Sequence, residues 1–491
     1  MKNTLSIYGS HDAGAVFINS AGELKILEYE RFVKKRYAMY SSKFDHRKSD
    51  IGTDQTSREK FIEYIKSQCN ANNIKTILYN ELVQSDLDYL KTQFSNAEFK
   101  LCGHHMAHAA SGYFTSKFNK AIIFSIDGGG IDHGTVGYTK VFSGDQTKIE
   151  LLDTPNINLG VAYGRIGCPI SEINPGPDSN KDSLVYAGKV MGLCAYGNIR
   201  QEWVSSFKRY YYHQDLNKLG KDINLNLSFN ALNDQESFDL AATSQYVFEE
   251  LLLDIVTPYI DTNDNFVLVG GCALNVLFNQ KLKMILSSKE KNLYVPSNPN
   301  DCGLALGQFL VEHPESNPTV YSGFDILDRD KLNQSYSEVG PRALGNRSII
   351  CDPSIDNMKD ILNSKVKFRE WFRPFAPVCR LEDKDRFFDS TCETEFMSYA
   401  PNVKPKFQQI LKAITHIDGT SRLQTVADNQ HETFYSILSE LEKRKNIPVI
   451  LNTSFNIKGM PILTTIEDAL YCLDNTEMDY VVIEGWLFNR K

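Results

Sequence analysis

The sequence predicts an α/β protein, because short β-branched or aromatic runs alternate with segments of helical periodicity. Ala121–Ile126 is an apolar run of strand length that is followed at once by Asp127 and three glycines. Asn265–Val269 is a second such run, and it is followed by Gly270 and Gly271. Between them, the pattern from Phe238 to Ile260 predicts one long helix. Phosphates commonly bind where glycines follow a strand in such folds, so both junctions are candidate binding sites.

The length of the chain, 491 residues, predicts two or more domains, because a single hydrophobic core stops growing well below that size. The segment from Glu312 to Ser335 is polar, with two prolines, a glycine and many charges, which is typical of a linker. We therefore place the domains at residues 1–330 and 331–491. The second domain is dense in Arg, Lys, Pro and Phe between Arg342 and Ser454.

Bulk composition narrows the class of protein. No stretch reaches the roughly 18 consecutive apolar residues that a membrane span needs, and no secretory apolar region opens the chain. We therefore expect a cytoplasmic protein with no membrane partner. The ten cysteines include no Cys-x-x-Cys pair, which argues against a zinc ribbon, an iron–sulfur site or a disulfide scaffold. The net charge of −8 gives no support for general nucleic-acid binding.

One local exception to the acidic balance lies between Glu30 and Lys48. Two interpretations stay open: a solvated basic loop, or a rim that attracts an anionic substrate. The cations of this basic segment are Arg31, Lys34, Lys35, Arg36, Lys43, Arg47 and Lys48.

A histidine cluster in the first domain indicates a metal site. His104 and His108 are four positions apart, so on a helix they share one face while His105 points elsewhere. Two imidazoles leave a divalent ion under-coordinated, and Asp127 and Asp301 are the candidate carboxylates. A mixed nitrogen and oxygen set suits iron, manganese or zinc better than calcium. The alternative is a chance pair on a surface helix.

Glycine-rich segments and an early His-Asp pair are weaker signals. Gly188–Gly192 and Gly270–Asn275 would bring backbone N–H groups close to phosphates, or would form tight turns. His11 and Asp12 follow the first predicted strand, where they form either an acid–base pair or a turn and N-cap. The residues that we assign to nucleotide binding in this domain are Gly128, Gly129, Lys189, Gly192, Gly271 and Asn275.

The second domain carries cations among aromatic residues and prolines. Arginine recognises planar, multi-oxygen anions through two parallel hydrogen bonds, and Ser or Asn at a strand end adds neutral donors. Trp371, Phe372 and Phe375 flank the cations, which predicts an enclosed site rather than surface salt bridges. Such a set suits a small phosphate with a carbonyl group, together with a nucleotide. The assigned residues are Arg342, Asn346, Lys367, Arg373, His416, Arg422, Asn452 and Ser454.

These motifs, in this order, resemble the O-carbamoyltransferase family, which includes the nodulation carbamoyltransferase and the enzymes that modify tobramycin and cephamycin antibiotics. The match runs from Ser10 to Asp468. Its segments are Ser10-His-Asp12, His104-His-Met-Ala-His108, Ser125-Ile-Asp-Gly-Gly129, Lys189-Val-Met-Gly-Leu193, Gly270-Gly-Cys-Ala-Leu-Asn275, Gly340-Pro-Arg-Ala-Leu-Gly345, Phe372-Arg-Pro-Phe-Ala-Pro377 and Leu451-Asn-Thr-Ser-Phe-Asn456.

The resemblance implies a fold and a site for each domain. The first domain is expected to be actin/hexokinase-like (ASKHA), similar to the threonylcarbamoyl transferases, and the second to be YrdC-like. The positions that match the family's ligands to Fe(II), or another divalent transition metal, are His104, His108, Asp127 and Asp301. The positions that match its carbamoyl phosphate site are Lys367, Arg373, Arg422 and Ser454, and Arg342 and His416 look like further members of the adenylation pocket.

The resemblance also implies a two-step reaction. Carbamoyl phosphate and ATP, which enters with Mg²⁺, give carbamoyl-adenylate and pyrophosphate, and the carbamoyl group then moves to a hydroxyl. His11 or Asp12 is the candidate base for the second step. Lys367, Arg373 and Arg422 are the candidate catalytic cations for the first. The acceptor stays open among sugars, natural products and hydroxymethylated pyrimidines in nucleotides or DNA, and so does a homodimer.

Two other functions stay open at this point. A small-molecule kinase of the ASKHA type would cleave ATP to ADP without carbamoyl phosphate, and it would leave the second-domain arginines unexplained. A nucleotide-dependent scaffold protein would only sense ATP.

Overall fold

The structure is a computed structural model that describes residues 3–41, 52–174, 176, 183–324, 336–390 and 393–490. Its strands and helices alternate along the chain, which confirms the predicted α/β class. None of the helices in these ranges is long and apolar enough to cross a lipid bilayer. The predicted boundary at residue 330 falls in the segment 325–335, outside the described residues.

The first part of the chain builds two five-stranded sheets with the orders β3-β2-β1-β4-β5 and β10-β9-β6-β7-β8. Their strands are β1 Thr4–Tyr8, β2 Gly14–Ile18, β3 Leu24–Glu28, β4 Thr76–Asn80, β5 Glu98–Leu101, β6 Lys120–Asp132, β7 Thr135–Asp145, β8 Lys148–Asp153, β9 Asn265–Val269 and β10 Asn292–Tyr294. The helices are α1 Tyr29–Phe32, α2 Gln55–Gln68, α3 Gln84–Gln93, α4 His104–Thr115, α5 Leu159–Arg165, α6 Ser183–Leu193, α7 Val204–His213, α8 Leu216–Ile223, α9 Asp234–Val256, α10 Val276–Ser287 and α11 Leu304–Glu312.

Helices α4 and α11 lie between these two sheets. α11 packs on β1 and β2, α4 packs on β6 and β9, and the two helices pack on each other. Their close approach requires a glycine, because a Cβ atom at Gly307 would lie 1.8 Å from the Ala107 carbonyl oxygen. This layer therefore brings the start of α4, the end of β6 and the start of α11 to one place.

The second part of the chain builds a four-stranded sheet of order β11-β16-β12-β15 and two hairpins, β13-β14 and β17-β18. Its strands are β11 Ser348–Cys351, β12 Ala376–Arg380, β13 Phe388–Asp389, β14 Asn402–Val403, β15 Gln424–Val426, β16 Val449–Ser454, β17 Tyr480–Ile483 and β18 Trp486–Asn489. The helices are α12 Met358–Ile361, which continues as a π-helical turn over Leu362–Val366, α13 Lys384–Phe387, α14 Pro405–Gln408, α15 Glu432–Lys445 and α16 Ile466–Asp474. A separate core forms here around Cys379, Leu451 and Cys472.

The predicted elements are found with changed bounds. The strand Asn265–Val269 and the long helix, observed as α9, are confirmed; a capping box of Asn233 and Glu236 starts that helix. The strand predicted at Ala121–Ile126 is longer, because β6 continues to Asp132 after a register shift between Ile126 and Gly130. Asp127 therefore lies at an irregularity within a strand, not after its end.

The glycines at Gly188–Gly192 were expected to bring backbone N–H groups close to phosphates. They lie within α6. Backbone N–H groups in a helix interior already bind carbonyl oxygens of the preceding turn, so they are not free to bind phosphate.

Candidate active sites

The four predicted metal ligands meet in the layer between the two sheets. His104 begins α4 and His108 follows one turn later, so their Nε2 atoms face each other at 3.2 Å. Asp127 Oδ2 lies 3.0 Å from His104 Nε2 and 3.3 Å from His108 Nε2, while Asp301 Oδ1 lies 3.3 Å from His108 Nε2. One ligand atom of each residue lies within 4.8 Å of all the others, and all four side chains are buried.

This arrangement fits a divalent transition-metal ion. Two imidazole nitrogens and two carboxylate oxygens converge on one point, which is the donor set that such ions prefer. Burial opposes charge on His104, but Asp301, Asp127 and Glu81 outweigh it and raise its pKa well above the usual value. Burial likewise opposes charge on Asp127, but His104 and His108 lower the pKa of that carboxyl. The carboxylates thus stabilise positive charge at this buried position, and they would stabilise a bound cation in the same way.

A carboxylate behind the cluster was not predicted. Glu81 Oε1 lies 3.1 Å from His104 Nδ1 and accepts a hydrogen bond from the Ile131 N–H at 3.1 Å. Tyr8 Oη donates to Asp301 Oδ2 at 2.7 Å and to Glu81 Oε2 at 3.3 Å. Glu81 has a φ of +52°, a left-handed conformation that is uncommon for a residue with a Cβ atom. Carboxylates of this kind fix the orientation of metal-binding histidines.

His105 points away from the cluster, as predicted. Its Nδ1 atom lies 2.7 Å from Ser125 Oγ, and its backbone N–H donates to Asp132 Oδ1 at 3.1 Å. Lys140 Nζ binds the other oxygen of Asp132 at 2.8 Å. These contacts satisfy a free N–H group of the first turn of α4 and hold the helix that carries both metal-site histidines.

His11 and Asp12 lie beside the same cluster. His11 Nε2 is 3.3 Å from Asp301 Oδ2, and its Nδ1 is 3.3 Å from Asp12 Oδ2. Burial lowers the pKa of His11, but the two carboxylates outweigh it and raise that pKa to about 10. The structure therefore brings the predicted acid–base pair next to the four candidate metal ligands. Its part in catalysis stays a prediction.

Two of the glycines assigned to nucleotide binding contact Asp127. The N–H groups of Gly128 and Gly271 both donate to Asp127 Oδ1, at 2.7 and 3.0 Å. Gly129 lies in the irregular part of β6 with a φ of +138°. The Asn275 side chain caps α10 and pairs with Gln245. These contacts orient Asp127 and its neighbours; nucleotide binding in this domain stays a prediction.

A dense group of cations forms the second site. Lys367 Nζ binds the carbonyl oxygens of Ser454 at 2.6 Å and Asn456 at 2.7 Å, which places it at the end of β16. Burial lowers the pKa of Lys367 well below its usual value, and neighbouring guanidinium groups lower it further. The same two effects lower the pKa of four arginines, which we call with Lys367 the cation cluster: Arg342, Arg369, Arg373 and Arg422.

Mutual lowering of pKa means that these cations lie close together with too little negative charge between them. Arg342, for example, is lowered to about 10 by burial and by Arg373. The Nε atom of Arg422 and the Nε2 atom of His416 are buried and have no hydrogen-bond partner in the part of the chain that the structure describes. A partly buried cluster of like charges, with donors that have no partner among the described residues, is suited to bind an anion of several oxygens.

The polar residues predicted for this site have different roles. Ser454 Oγ lies beside Lys367 Nζ at 3.3 Å. Asn452 donates to the Ala343 carbonyl at 2.9 Å and so holds the segment that carries Arg342. Asn346 binds the Tyr336 carbonyl at 2.6 Å and His431 Nε2 at 3.1 Å, which makes it a contact that holds a loop. Arg369, which belongs to the same sequence run, was missing from the assigned set.

The described cations of the basic segment have internal partners, and one of them, Arg36, also lies near the cation cluster, where its charge lowers the pKa of Arg373. Arg31 is buried and binds two backbone carbonyls of the second domain. Lys34 pairs with Asp468 at 2.7 Å, and Lys35 binds the Gly52 carbonyl at 2.9 Å. Arg36 binds its neighbour, the Tyr37 hydroxyl, at 2.9 Å. The remaining cations lie outside the described residues, at Lys43, Arg47 and Lys48.

Comparison with known proteins decides the family. Residues 24–310 match the family model for the carbamoyltransferase N-terminus, and residues 331–490 match the model for the carbamoyltransferase C-terminus. The chain belongs to the carbamoyltransferase family. It is therefore an enzyme that transfers a carbamoyl group, as the sequence motifs implied. Each of the two sites lies in one of the matched regions.

Two relatives illustrate how widely the resemblance extends over this carbamoyltransferase. The nodulation protein NolO of Bradyrhizobium diazoefficiens is 30% identical over 79% of the chain and 79% of its own length. The nodulation protein NolNO of Sinorhizobium fredii is 27% identical over 98% of the chain and 79% of its own length. Among solved structures, HypF of T. kodakarensis covers 64% of the chain and 47% of its own at 14% identity, with a TM-score of 0.37.

Proposed function

We propose that this carbamoyltransferase forms carbamoyl-adenylate from carbamoyl phosphate and ATP at the cation cluster. It then transfers the carbamoyl group to an acceptor hydroxyl at the candidate metal site of the first domain. The observation that carries the proposal is the grouping of one buried lysine and four partly buried arginines, with Arg422 Nε and His416 Nε2 buried without a partner among the described residues. Such a site fits phosphate groups better than a neutral ligand, because anions relieve the repulsion between the cations.

The first step would be an exchange of phosphate for AMP. Water hydrolyses carbamoyl phosphate to carbamate and phosphate, and a carbamate oxygen then attacks the α-phosphorus of ATP while the bond to pyrophosphate breaks. Negative charge develops on the transferring phosphoryl oxygens, and fixed cations such as Lys367, Arg373 and Arg422 stabilise it. ATP would enter with Mg²⁺. The mixed anhydride hydrolyses easily, so an enclosed route to the second site favours the reaction.

The second step would take place beside the two histidines. A divalent metal ion, which His104, His108, Asp127 and Asp301 would hold, supplies a Lewis acid that polarises a carbonyl or phosphoryl oxygen. A pKa of about 10 leaves His11 protonated at neutral pH, so the candidate base for the acceptor hydroxyl is Asp12, whose Oδ2 atom lies 3.3 Å from His11 Nδ1. The oxygen of the acceptor forms the new bond to the carbamoyl carbon, and AMP leaves. The acceptor is a sugar, a natural product or a hydroxymethylated pyrimidine.

The first step can be tested without an acceptor. The purified protein is incubated with ATP, Mg²⁺ and carbamoyl phosphate, and pyrophosphate release is measured. We expect release that depends strictly on carbamoyl phosphate. Formation of ADP in the same mixture without that dependence would contradict the proposal and identify a kinase. Acceptors are then screened by the mass that one carbamoyl group adds.

A further inference from the structure

A lysine of the first domain contacts the cation cluster through a glutamate. Lys189 Nζ, on α6, lies 2.8 Å from Glu370 Oε1 and also donates to the Ile173 carbonyl at 2.9 Å. The other carboxylate oxygen, Glu370 Oε2, lies 3.5 Å from Arg373 Nη1. The three side chains are largely buried, with exposed fractions of 11% for Lys189, 15% for Glu370 and 32% for Arg373.

The surroundings of this contact belong to the boundary between the two domains. Gly192, one turn after Lys189, faces Phe372, since a Cβ atom there would lie 3.5 Å from the Phe372 ring. Tyr196 packs edge-on against Trp371 and His416, with ring centroids 5.0 and 5.7 Å apart. One short stretch of the first domain, which ends at Tyr196, therefore lines the run that carries Arg373.

Glu370 is an acidic residue within a run of cations. Burial raises the pKa of its carboxyl, but the hydrogen bond from Lys189 and the charge of Arg373 outweigh burial and lower it, so the group is ionised. Glu370 in turn favours the charged form of Arg373, against the effects of burial and of Arg36. A carboxylate that faced Arg373 without Lys189 would compete with an incoming anion for the guanidinium group. Lys189 offsets part of that charge and fixes the carboxylate in place.

We propose that Lys189 and Glu370 are positioning residues for the cation cluster: Lys189 holds Glu370, and Glu370 orients the Arg373 guanidinium toward the bound anion. This inference rests on the proposed anion-binding role of the cluster. It gives Lys189 a role in the first reaction step, although the residue lies in the domain assigned to the second. If Lys189 instead bound a nucleotide in its own domain, as its sequence motif suggested, its loss would leave the cation cluster unaffected.

The test measures anion affinity directly, so that it does not depend on turnover. Inorganic pyrophosphate is titrated calorimetrically into the wild-type protein, Lys189→Met, Glu370→Gln and the double variant. We expect each single variant to bind roughly tenfold more weakly, since coupled charged pairs are worth a factor of this order. The double variant should be little weaker than either single one, because both act through Arg373. Lys189→Arg, which keeps the charge, should restore most of the affinity.

Lys281→Met is the matched control. Lys281, on α10, is also a partly buried lysine of the first domain that pairs with glutamates, but these lie on α9: Glu249 at 3.2 Å and Glu250 at 3.3 Å. It should bind pyrophosphate as the wild type does. Wild-type affinity in Lys189→Met, or strictly multiplicative losses in the double variant, would overturn the proposal, as would a wild type that binds no pyrophosphate. A wild type that binds pyrophosphate but releases none from ATP would contradict only the proposed reaction.

Discussion

Glu81 Oε1 and His104 Nδ1 lie 3.1 Å apart, on the side of the imidazole that faces away from the other three candidate metal ligands. This contact fixes which nitrogen of His104 faces Asp127. Glu81 is itself fixed by the Ile131 N–H and by a left-handed backbone conformation. A carboxylate held this firmly behind a ligand raises the basicity of the ligand and limits its rotation.

We predict that Glu81→Gln lowers metal affinity about 10- to 100-fold, the usual effect of losing a carboxylate behind a metal-binding histidine. The amide keeps the shape of the side chain but removes its charge. Metal content after dialysis against a graded chelator series, read by elemental analysis, measures the change. Glu98→Gln is the control, since Glu98 is 70% exposed in the same sheet. Equal metal retention in both variants would contradict a role for Glu81.

The neighbouring histidines of α4 allow a second prediction. His108→Ala should lose the metal and the transfer step while pyrophosphate release continues, because the cation cluster is a separate site. His105→Ala should retain the metal and lose about 1–3 kcal/mol of folding free energy, since it leaves the buried Ser125 hydroxyl short of a partner. Metal analysis and urea unfolding distinguish the two. Loss of pyrophosphate release in His108→Ala at wild-type stability would contradict the assignment of two sites.

What the sequence could predict in these sites is local. The spacing of His104 and His108 is one helical turn, so their shared face follows from the helix alone. Asp127 was found because it follows an apolar run of strand length and precedes glycines, although the observed strand continues past it. The cation cluster was visible because arginines and aromatic residues alternate over a short stretch.

The contacts that were missed connect segments far apart in sequence. Glu81 has no pattern around it that indicates a partner on α4, because that contact depends on how β4 and β6 are placed in separate sheets. Lys189 was assigned to nucleotide binding because glycines flank it, and its contact with Glu370, 181 residues further along the chain, has no local pattern that indicates it. Tertiary packing of this kind overrides a local motif, and a single sequence does not reveal it.

Arg422 provides the most direct test of the cation cluster. Its Nε atom is buried without a partner among the described residues, so truncation removes a donor that only a ligand uses. Arg422→Ala should reduce the rate of pyrophosphate release roughly 100- to 1,000-fold, the loss typical of a donor that stabilises developing charge. Arg386→Ala, which removes a surface pair with Glu442 at 3.0 Å, should leave it unchanged. A mild effect of Arg422→Ala would place adenylation elsewhere.

Anion binding at the cation cluster should take up protons. Burial, Arg369 and Arg373 lower the pKa of Lys367, so part of its charge is lost at a pH below the usual value of 10.5. A bound anion stabilises the charged form and raises that pKa again, which means that affinity falls as pH rises between the lowered pKa and 10.5.

Calorimetric titration of pyrophosphate in buffers of different ionisation enthalpy measures this proton uptake. Lys367→Met should reduce it. Lys365→Met should not, because Lys365 is half-exposed and pairs with Glu477 on the surface. Release of protons on binding, instead of uptake, would contradict the expected rise in the pKa of Lys367.

Arg31 joins the two domains, and its removal should be costly. Its Nε atom lies 2.8 Å from Glu28 Oε2, and its Nη atoms donate to the carbonyls of Glu338 at 2.6 Å and Gly340 at 2.8 Å. Arg31→Leu would leave the Glu28 carboxyl buried without its cation. It would also leave the two buried carbonyl oxygens without their donors, at a cost of about 1–3 kcal/mol of unfolding free energy for each, which urea unfolding measures.

The cause of that loss can be separated from packing. Burial raises the pKa of Glu28 to about 8 against the opposing charge of Arg31, so this carboxyl is mostly protonated at pH 7 and carries no charge that Arg31→Leu could leave alone. Adding Glu28→Gln to Arg31→Leu should therefore recover little of the lost stability at pH 7. Arg209→Leu, which removes a half-exposed pair with Asp222, should cost at most about 1 kcal/mol. A large recovery by Glu28→Gln would show instead that an unpaired carboxylate, and not the loss of the two carbonyl contacts, causes the destabilisation.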